Sequence, residues 1–418
     1  MVLLVFLVVS MFSLGFYLNE RMTVPTFTIV AKSDEVPIYI EHLNDYYPMG
    51  TLYANTPVEP LQQLEDYYEI AWGNGTGYLR KEDVVEQERK IKKRAIKHPS
   101  NEMVYTIEQT PIYERSFRKL IPIASIEAGF RYPIVREYNE NWWEVNVGGR
   151  SGYIAKKSTE PDRGIPVLMY HHLLKPEEKE GSTLKKSSST ITTEEFEMQM
   201  RYLHEEGYVT LRTEDLEQYL KKQRNVPAKA VVLTMDDGNI SSRIYGYPIL
   251  QKYGLFIDQF MITERTPDEP LPFNFRRLDF LSHEEMRAMT DHYGFHSHTH
   301  GLHWQTEEKE PFLLVKPKEE VLADLRLSRS LLYQTPYLAY PFGQYDEEGI
   351  ELVKKAGFRL AYTTKPGYVT LNTNPYEIPR LGIEPYLPLE EFISKVKLPR
   401  PLREEAPEFP SVEVQEEI

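Results

Sequence analysis

Residues 231–238 have the sequence VVLTMDDG, and this stretch decides the fold class of the chain. Its first five residues are mostly apolar and β-branched, which is typical of a short strand buried on both faces. Two carboxylates and a glycine then end the strand. Because doubly buried strands belong to parallel sheets covered by helices, the stretch predicts an α/β fold with acidic side chains at the carboxyl end of a strand.

A histidine cluster lies downstream, at residues 295–303, with the sequence FHSHTHGLH. It holds four of the chain's eleven histidines. Taken alone, Asp-Asp-Gly is typical of a turn, and a His-x-His pair is typical of a polar strand edge. Carboxylates at one strand end that face imidazoles from a later strand end favour a metal site.

The remaining residues after 164 alternate between strand and helix patterns. Residues 192–195 (TTEE) and 282–285 (SHEE) predict capping boxes that begin two helices. Gly207 and Gly357 are predicted to end helices. This alternation predicts parallel strands with covering helices, and fewer than eight such units are visible.

Several ordered motifs resemble those of the polysaccharide deacetylase superfamily, also called the NodB-homology group or carbohydrate esterase family 4. In the first motif, residues 234–238, Met235 occupies the position where most members have Phe. The matching stretches are 165–172 (IPVLMYHH), 234–238 (TMDDG), 339–343 (AYPFG) and 377–380 (EIPR). The branch that looks closest deacetylates poly-N-acetylglucosamine, since its second motif has the form His-Thr-x-x-Leu-His, as in residues 298–303.

The resemblance implies a distorted (β/α)7 barrel that binds one divalent ion, zinc in the first place, with cobalt and nickel as alternatives. It implies Asp237, His298 and His303 as metal ligands. His296 and His300 are alternative ligands, because His-Ser-x-x-His also fits the wider superfamily, or neighbours of the ligands.

Further roles follow from the same resemblance. Asp236 is the implied general base, and the backbone N–H of Phe342 is implied to stabilise the oxyanion. Many members have an arginine directly before the motif that contains Tyr340, where it orients the general base, and this chain does not. Arg380 is expected to compensate by pairing with Asp236. The residues expected at the substrate are His171, His172, Tyr340 and Pro341.

The superfamily's last motif, a histidine that protonates the leaving amine, is absent because no histidine follows His303. The proton donor is left open among His171, His172, His296 and water.

The N-terminal part contains an internal repeat with a period of about 75 residues. The stretch 36–39 (VPIY) recurs as 110–113 (TPIY), and 77–79 (GYL) recurs as 152–154 (GYI). Aromatic and β-branched residues with glycine turns predict small β-barrels, and the copies resemble bacterial SH3-type domains. The predicted domains are 26–86 and 102–160, joined by a basic linker at 87–101.

The chain ends are predicted to differ from these domains. Residues 1–22 are predominantly apolar and predict an uncleaved membrane anchor, with a cleaved signal peptide as the alternative. The deacetylase domain is predicted at 164–398. Residues 399–418 contain prolines and glutamates and predict a disordered acidic tail.

Composition narrows the function. A net charge of −14 argues against a nucleic-acid partner. The absence of cysteine excludes disulfides, thiolate ligands and a cysteine nucleophile. Within these limits, the resemblance implies a cell-surface, metal-dependent de-N-acetylase of an N-acetylglucosamine polymer, with the SH3-like pair binding wall glycan or peptide. A peptidoglycan deacetylase and a weakly active glycan-binding scaffold are the alternatives.

Overall fold

The computed structural model describes residues 27–42, 45–88, 100–117 and 119–403. The predicted membrane segment, residues 89–99 of the predicted linker and residues 404–418 of the predicted tail lie outside these ranges. Within the ranges, no helix has the length and apolar character needed to cross a membrane.

A ring of parallel strands forms the centre of the C-terminal part. In order around the ring, its strands are Ile165–Tyr170, Ala230–Met235, Ile257–Met261, Tyr293–Ser297, Tyr337–Ala339, Leu360–Tyr362 and Leu381–Gly382. The last strand closes the ring because Leu381 and Gly382 pair in parallel with the first strand. A bridge between Tyr362 and Ile378 joins the other side. The predicted (β/α) architecture is thereby confirmed for this part of the chain.

Further elements surround the ring. The additional strands are His172–Leu174, Thr190–Thr192, Val209–Leu211 and Tyr368–Val369. The helices are Pro176–Glu180, Thr193–Glu205, Thr213–Leu220, Tyr247–Tyr253, His283–Arg287, Phe312–Val315, Lys318–Leu331, Glu347–Ala356 and Leu389–Val396. Single turns of 3-10 or π-helix occupy Ser242–Gly246, Thr263–Arg265 and Pro341–Gly343.

Local sequence signals set where two of these helices begin. The Thr192 hydroxyl accepts from Glu195 N at 3.2 Å, and the Glu195 carboxylate accepts from Thr192 N at 2.6 Å. Ser282 and Glu285 make the same reciprocal bonds. Both predicted capping boxes are confirmed, and each satisfies backbone donors that the first helical turn leaves free.

Between residues 27 and 161, the described residues form strands, joined by loops and by two single 3-10 turns. The described part of the first copy has the strands Thr28–Ala31, Glu35–His42, Asp45–Tyr53, Pro60–Gln63, Tyr67–Trp72, Gly75–Arg80 and Val84–Gln87. The second has Met103–Thr106, Thr110–Ser116, Lys119–Ile126, Arg131–Glu137, Trp142–Val147, Arg150–Ala155 and Thr159–Pro161. In both copies a 3-10 turn, Lys81–Asp83 or Lys156–Ser158, precedes the last strand. The same order of elements twice is the repeat seen in the sequence.

The two copies form one body rather than two separate barrels. Strand Lys119–Ile126 of the second copy pairs antiparallel with Asp45–Tyr53 of the first, so one sheet runs through both. Their buried apolar side chains belong to a common core that includes Ile70 and Val145. An edge strand of each copy is thus hydrogen-bonded to an edge strand of the other copy.

Residues 399–403 differ from the prediction made for the end of the chain. The predicted disordered tail begins at 399, but residues 399–403 pack against the second β copy. Tyr105 donates its hydroxyl to Arg400 O at 2.9 Å, and Arg403 N donates to Ile107 O at 2.6 Å. Backbone groups satisfied in this way order the segment, although its composition alone resembles a disordered one.

Candidate metal centre

Three side chains converge where neighbouring strands of the ring end. Asp237 follows the strand Ala230–Met235, and His298 follows Tyr293–Ser297, while His303 comes from the loop after it. Asp237 Oδ1 lies 3.7 Å from His298 Nε2 and 3.4 Å from His303 Nε2. The three ligand atoms lie within 4.8 Å of one another. The structure therefore brings together the carboxylate and imidazoles that were predicted as ligands.

Backbone strain is concentrated around this cluster. Asp237, Thr299 and Phe342 have φ values of 74°, 70° and 58°, in the left-handed region that non-glycine residues rarely adopt. Successive residues of a regular strand point to opposite faces. Since Asp237 itself leaves the strand conformation, Asp236 and Asp237 both turn toward the same end of the ring. Gly238 also has positive φ, at 75°, so the departure from strand conformation begins at Asp237 and continues through the glycine.

Both imidazoles are prepared to act as neutral ligands. His298 Nδ1 lies 2.8 Å from the carbonyl oxygen of Ala339, so this nitrogen carries the proton and Nε2 turns its lone pair toward Asp237. Burial lowers the pKa of His298 and of His303 to about 4. Neutral imidazole nitrogens and one carboxylate suit zinc and similar divalent ions, so the residues fit the metal that the motifs imply.

Asp236 is buried and held by Arg380. The two Arg380 terminal nitrogens lie 2.7 Å from the two carboxylate oxygens, a bidentate pair with both side chains almost completely buried. Arg380 also donates to Thr363 O at 2.8 Å and to the Thr234 hydroxyl at 3.2 Å. Although burial opposes it, the positive charge of Arg380 holds the pKa of Asp236 below its usual range. The expected pairing of Asp236 with Arg380 is present in the structure.

Phe342 borders the cluster in two ways. Its backbone sits in the turn Pro341–Gly343, directly after the strand Tyr337–Ala339 and Tyr340. Its half-exposed ring packs on His303, with ring centroids 4.5 Å apart. The predicted role used only the backbone N–H. The ring contact adds a packing interaction between Phe342 and a predicted ligand, His303.

The four residues predicted at the substrate differ in position. His172, Tyr340 and Pro341 are buried, which argues against direct contact with a polymer. Tyr340 stacks on Tyr345 and donates to Tyr376 O at 3.2 Å. His171 is half-buried, and its charge influences the pKa of Asp236, so His171 lies close enough to take part in the site.

The alternative ligands His296 and His300 do not join Asp237. His296 points into the ring like His298, but it lies two residues earlier, and two residues of strand span about 6.6 Å. It therefore contacts Asp258 Oδ1 at 3.0 Å. The His300 ring contacts the Thr263 hydroxyl at 3.1 Å, and its backbone N–H donates to Asp324 at 2.9 Å. The correction for His296 follows from strand geometry, because residues on one face of a strand lie at successive heights along the axis of the ring.

Trp304 was missed in the sequence. About half of its surface is exposed, and it follows His303 directly. Arg265 lies 5.0 Å from the Trp304 ring centre and donates to His303 O at 3.2 Å, which connects the indole to the cluster. An exposed aromatic ring at the rim of a polar site is suited to stack on a sugar. Its position beside a predicted ligand was the available signal.

Comparisons with known proteins agree with this geometry. The polysaccharide deacetylase family model matches residues 223–361. A poly-beta-1,6-N-acetyl-D-glucosamine N-deacetylase from Staphylococcus aureus is 30% identical over 203 residues, which cover 46% of this chain and 68% of that protein. A putative polysaccharide deacetylase, YxkH of Bacillus subtilis, is 28% identical over 229 residues, which cover 54% of this chain and 74% of that protein.

Among solved structures, the Streptococcus pyogenes deacetylase PplD in complex with acetate is 25% identical, with a TM-score of 0.47. The match covers 56% of this chain and 99% of that one. On the family model and the staphylococcal relative, the chain belongs to the polysaccharide deacetylase family. The predicted enzyme class, a hydrolase, is confirmed.

Proposed function

We propose that this protein removes N-acetyl groups from poly-β-1,6-N-acetylglucosamine at the cell surface. The observation that carries the proposal is the convergence of Asp237, His298 and His303 beside the Asp236–Arg380 pair. The deacetylase activity for which the staphylococcal relative is named suggests the substrate class, and the chain shares 30% identity with that relative.

The residues divide the hydrolysis of the acetamide between them. A divalent ion held by Asp237, His298 and His303 would act as a Lewis acid and increase the acidity of a water molecule. Arg380 keeps Asp236 ionised, and only the ionised carboxylate can accept the proton of the attacking water. As the new C–O bond forms, the carbonyl oxygen becomes negatively charged, and the N–H of Phe342 would donate to it.

The leaving amine needs a proton when its C–N bond breaks. His172 is unsuited, because its side chain is buried and burial lowers its pKa to about 4. His296 is bound to Asp258. His171 is half-buried and electrostatically linked to both Asp236 and His298. We therefore assign the proton transfer to His171, and expect His171→Gln to lower kcat for acetate release while the metal content stays as in the wild type.

Acetate release tests the activity directly. The wild-type protein, loaded with zinc, should release acetate from β-1,6-linked N-acetylglucosamine oligomers, and removal of zinc with a chelator should abolish the release. Asp236→Asn should lower kcat by at least about a hundredfold, as expected for loss of a general base. Asp268→Asn, the same change at an exposed position, is the matched control. Unchanged release by Asp236→Asn would refute the mechanism.

The same assay separates the possible polymers. Wild-type protein should act on β-1,6-linked oligomers in preference to peptidoglycan fragments. A preference for peptidoglycan fragments would leave the proposed catalytic centre unchanged and would identify peptidoglycan as the substrate instead. Bound zinc without acetate release from any of these glycans would favour the scaffold alternative.

We further propose that the two β copies are SH3-like modules that hold the enzyme at the cell wall, with residues 1–22 as membrane anchor. One face of the first copy supports this role, because it carries four half-buried tyrosines that contact one another. They are Tyr39, Tyr46, Tyr67 and Tyr78. Tyr46 and Tyr67 stack at 4.3 Å. Tyr67→Ala should reduce sedimentation with purified wall, whereas Tyr333→Ala, at an exposed tyrosine of the barrel part, should not.

A further inference from the structure

A second group of potential metal ligands lies deeper in the ring. Glu214, Asp258 and His296 each offer a ligand atom, and these atoms lie within 4.8 Å of one another. His296 Nε2 is 3.0 Å from Asp258 Oδ1. Asp258 and His296 come from neighbouring parallel strands, and Glu214 comes from the first turn of helix Thr213–Leu220. The group therefore joins three elements that are distant in sequence.

Surrounding hydrogen bonds orient the ligand atoms. The Thr335 hydroxyl lies 2.8 Å from His296 Nδ1, which leaves Nε2 directed at Asp258. Asp258 Oδ2 accepts from both the backbone N–H and the hydroxyl of Thr213, at 2.8 and 2.7 Å. Because Oδ2 is occupied in this way, Oδ1 is the oxygen turned toward His296. Fixed outer contacts of this kind are what metal ligands require.

A cavity of about 650 Å³ reaches one member of the group, Glu214, and the glycine beside the other two. Glu214 and Gly294 line this cavity, together with Phe256 and Tyr293 at the amino ends of strands Ile257–Met261 and Tyr293–Ser297. Asp237 and His298 lie at the carboxyl ends of their strands. The cavity is therefore at the opposite end of the ring from the candidate catalytic centre.

Gly294 keeps the approach open. A Cβ at this position would collide with Asp258 Oδ1 and lie 3.1 Å from His296 Nε2. Its φ is not in the left-handed region, so backbone conformation does not require glycine here. Space beside the two ligand atoms is the structural reason for the glycine.

The charge of the cavity suits a cation. Its lining has the carboxylates Glu41, Glu214 and Asp215, and the guanidinium groups Arg212 and Arg224. Arg224 pairs with Asp215 at 3.3 Å, and the Arg212 guanidinium lies 4.3 Å from the Phe256 ring centre. With buried Asp258 added, carboxylates outnumber the guanidinium groups.

We propose that Glu214, Asp258 and His296 form a second divalent-cation site. One imidazole and two carboxylates favour zinc or manganese, with water completing the coordination. A bound ion would tie the start of helix Thr213–Leu220 to two strands of the ring and stabilise the native state by mass action.

Metal stoichiometry tests the proposal. The full chain, stripped with a chelator and titrated with Zn²⁺, should bind two equivalents. Asp237→Asn should retain one equivalent, Asp258→Asn should retain one, and the double variant should retain none. Saturation of the second site in Asp237→Asn should raise the Tm.

Glu214→Gln serves if Asp258→Asn does not fold, because Glu214 is exposed. We expect it to weaken the second affinity at least about tenfold and to leave the first unchanged. Glu41→Gln changes the same chemical group on the wall of the same cavity but removes no proposed ligand, so it should weaken the second affinity far less than Glu214→Gln does. A wild-type stoichiometry of one, or a second affinity unchanged in Glu214→Gln, would overturn the proposal and leave a buried His296–Asp258 ion pair.

Discussion

Adjacent aspartates acquire different environments at the end of one strand. Asp236 is sealed against Arg380 in the interior, whereas Asp237 is partly exposed between two imidazoles. The positive φ of Asp237 produces the difference, because it rotates one carboxylate toward the histidines while the other stays in the ring. Two carboxylates in different environments can take different roles, here base and ligand.

Arg380→Ala should destabilise the protein by about 3–5 kcal/mol, because it leaves a buried carboxylate without its partner. Arg400→Ala, which breaks a largely exposed pair with Glu160, should cost less than about 1 kcal/mol. Urea unfolding at pH 7 measures both.

The same pair predicts an acid dependence. The native pKa of Asp236 lies below the unfolded value, about 3.9. The unfolded state therefore binds the proton first, and the stabilisation present above about pH 4 is lost as the pH falls toward the native pKa. Arg380→Ala should remove this part of the acid dependence.

The ligand histidines predict a separate dependence in the metal-free protein. The pKa of His298 and of His303 is about 4 in the native state, against 6.5 for the free imidazole. The unfolded state takes up protons from pH 6.5 downward, and the native state does so only near pH 4. The unfolding free energy of the metal-free protein should therefore decrease as the pH falls from about 6.5 to about 4. His303→Gln should make the decrease smaller, while His204→Gln, at an exposed histidine, should reproduce the wild-type slope.

At the scale of the element, the strand-end turn is the critical part of the barrel. Gly238 has φ +75°, and a Cβ there would lie 2.7 Å from Met261 Cε. The turn therefore requires glycine for its conformation, and an added Cβ would also force the end of the Met261 side chain to shift. Since Asp237 precedes it directly, any shift of this turn displaces a predicted ligand.

Gly238→Ala and Gly207→Ala form a matched pair. Gly207 has φ +69° and no atom within 4 Å of an added Cβ. Both variants should lose about 1–2 kcal/mol through left-handed backbone strain. Only Gly238→Ala should also lose zinc affinity, which equilibrium dialysis measures. Equal zinc affinity in the two variants would show that the turn does not position Asp237.

At the scale of the whole molecule, polar contacts attach the β copies to the barrel. Asn225 Oδ1 accepts from Asn74 N at 2.7 Å, and its amide donates to Trp72 O and Thr76 O at 2.9 Å each. Arg131 of the second copy donates to Pro227 O of the barrel part and to Gly164 O at 3.2 Å, and its buried pair with Asp162 at 2.8 Å holds it there. A buried, well-satisfied interface predicts that the parts unfold together.

Asn225→Ala should break this cooperation. It leaves the turn at Asn74 with buried polar groups unsatisfied, at a cost of about 1–3 kcal/mol. Scanning calorimetry should then resolve two transitions in place of one. Asn372→Ala removes an exposed amide contact with Asn101 and should keep a single transition. A single transition at the wild-type temperature in Asn225→Ala would contradict a coupled interface.

The sequence alone determined those features that depend on local pattern. The buried strand before Asp236, both capping boxes and the repeat were readable because hydrophobic period, capping chemistry and turn residues act over a few positions. The ligand set Asp237, His298 and His303 was implied by the resemblance to the family's motifs, and the structure brings these residues together.

Tertiary structure alone decided the rest. The height of His296 along the axis of the ring depends on the register of neighbouring strands. That register is set by packing along the whole sheet. The burial of Tyr340 and His172 and the fusion of the two β copies into one sheet also depend on contacts between distant segments. Local sequence cannot specify these, because each is determined by a partner that lies far along the chain.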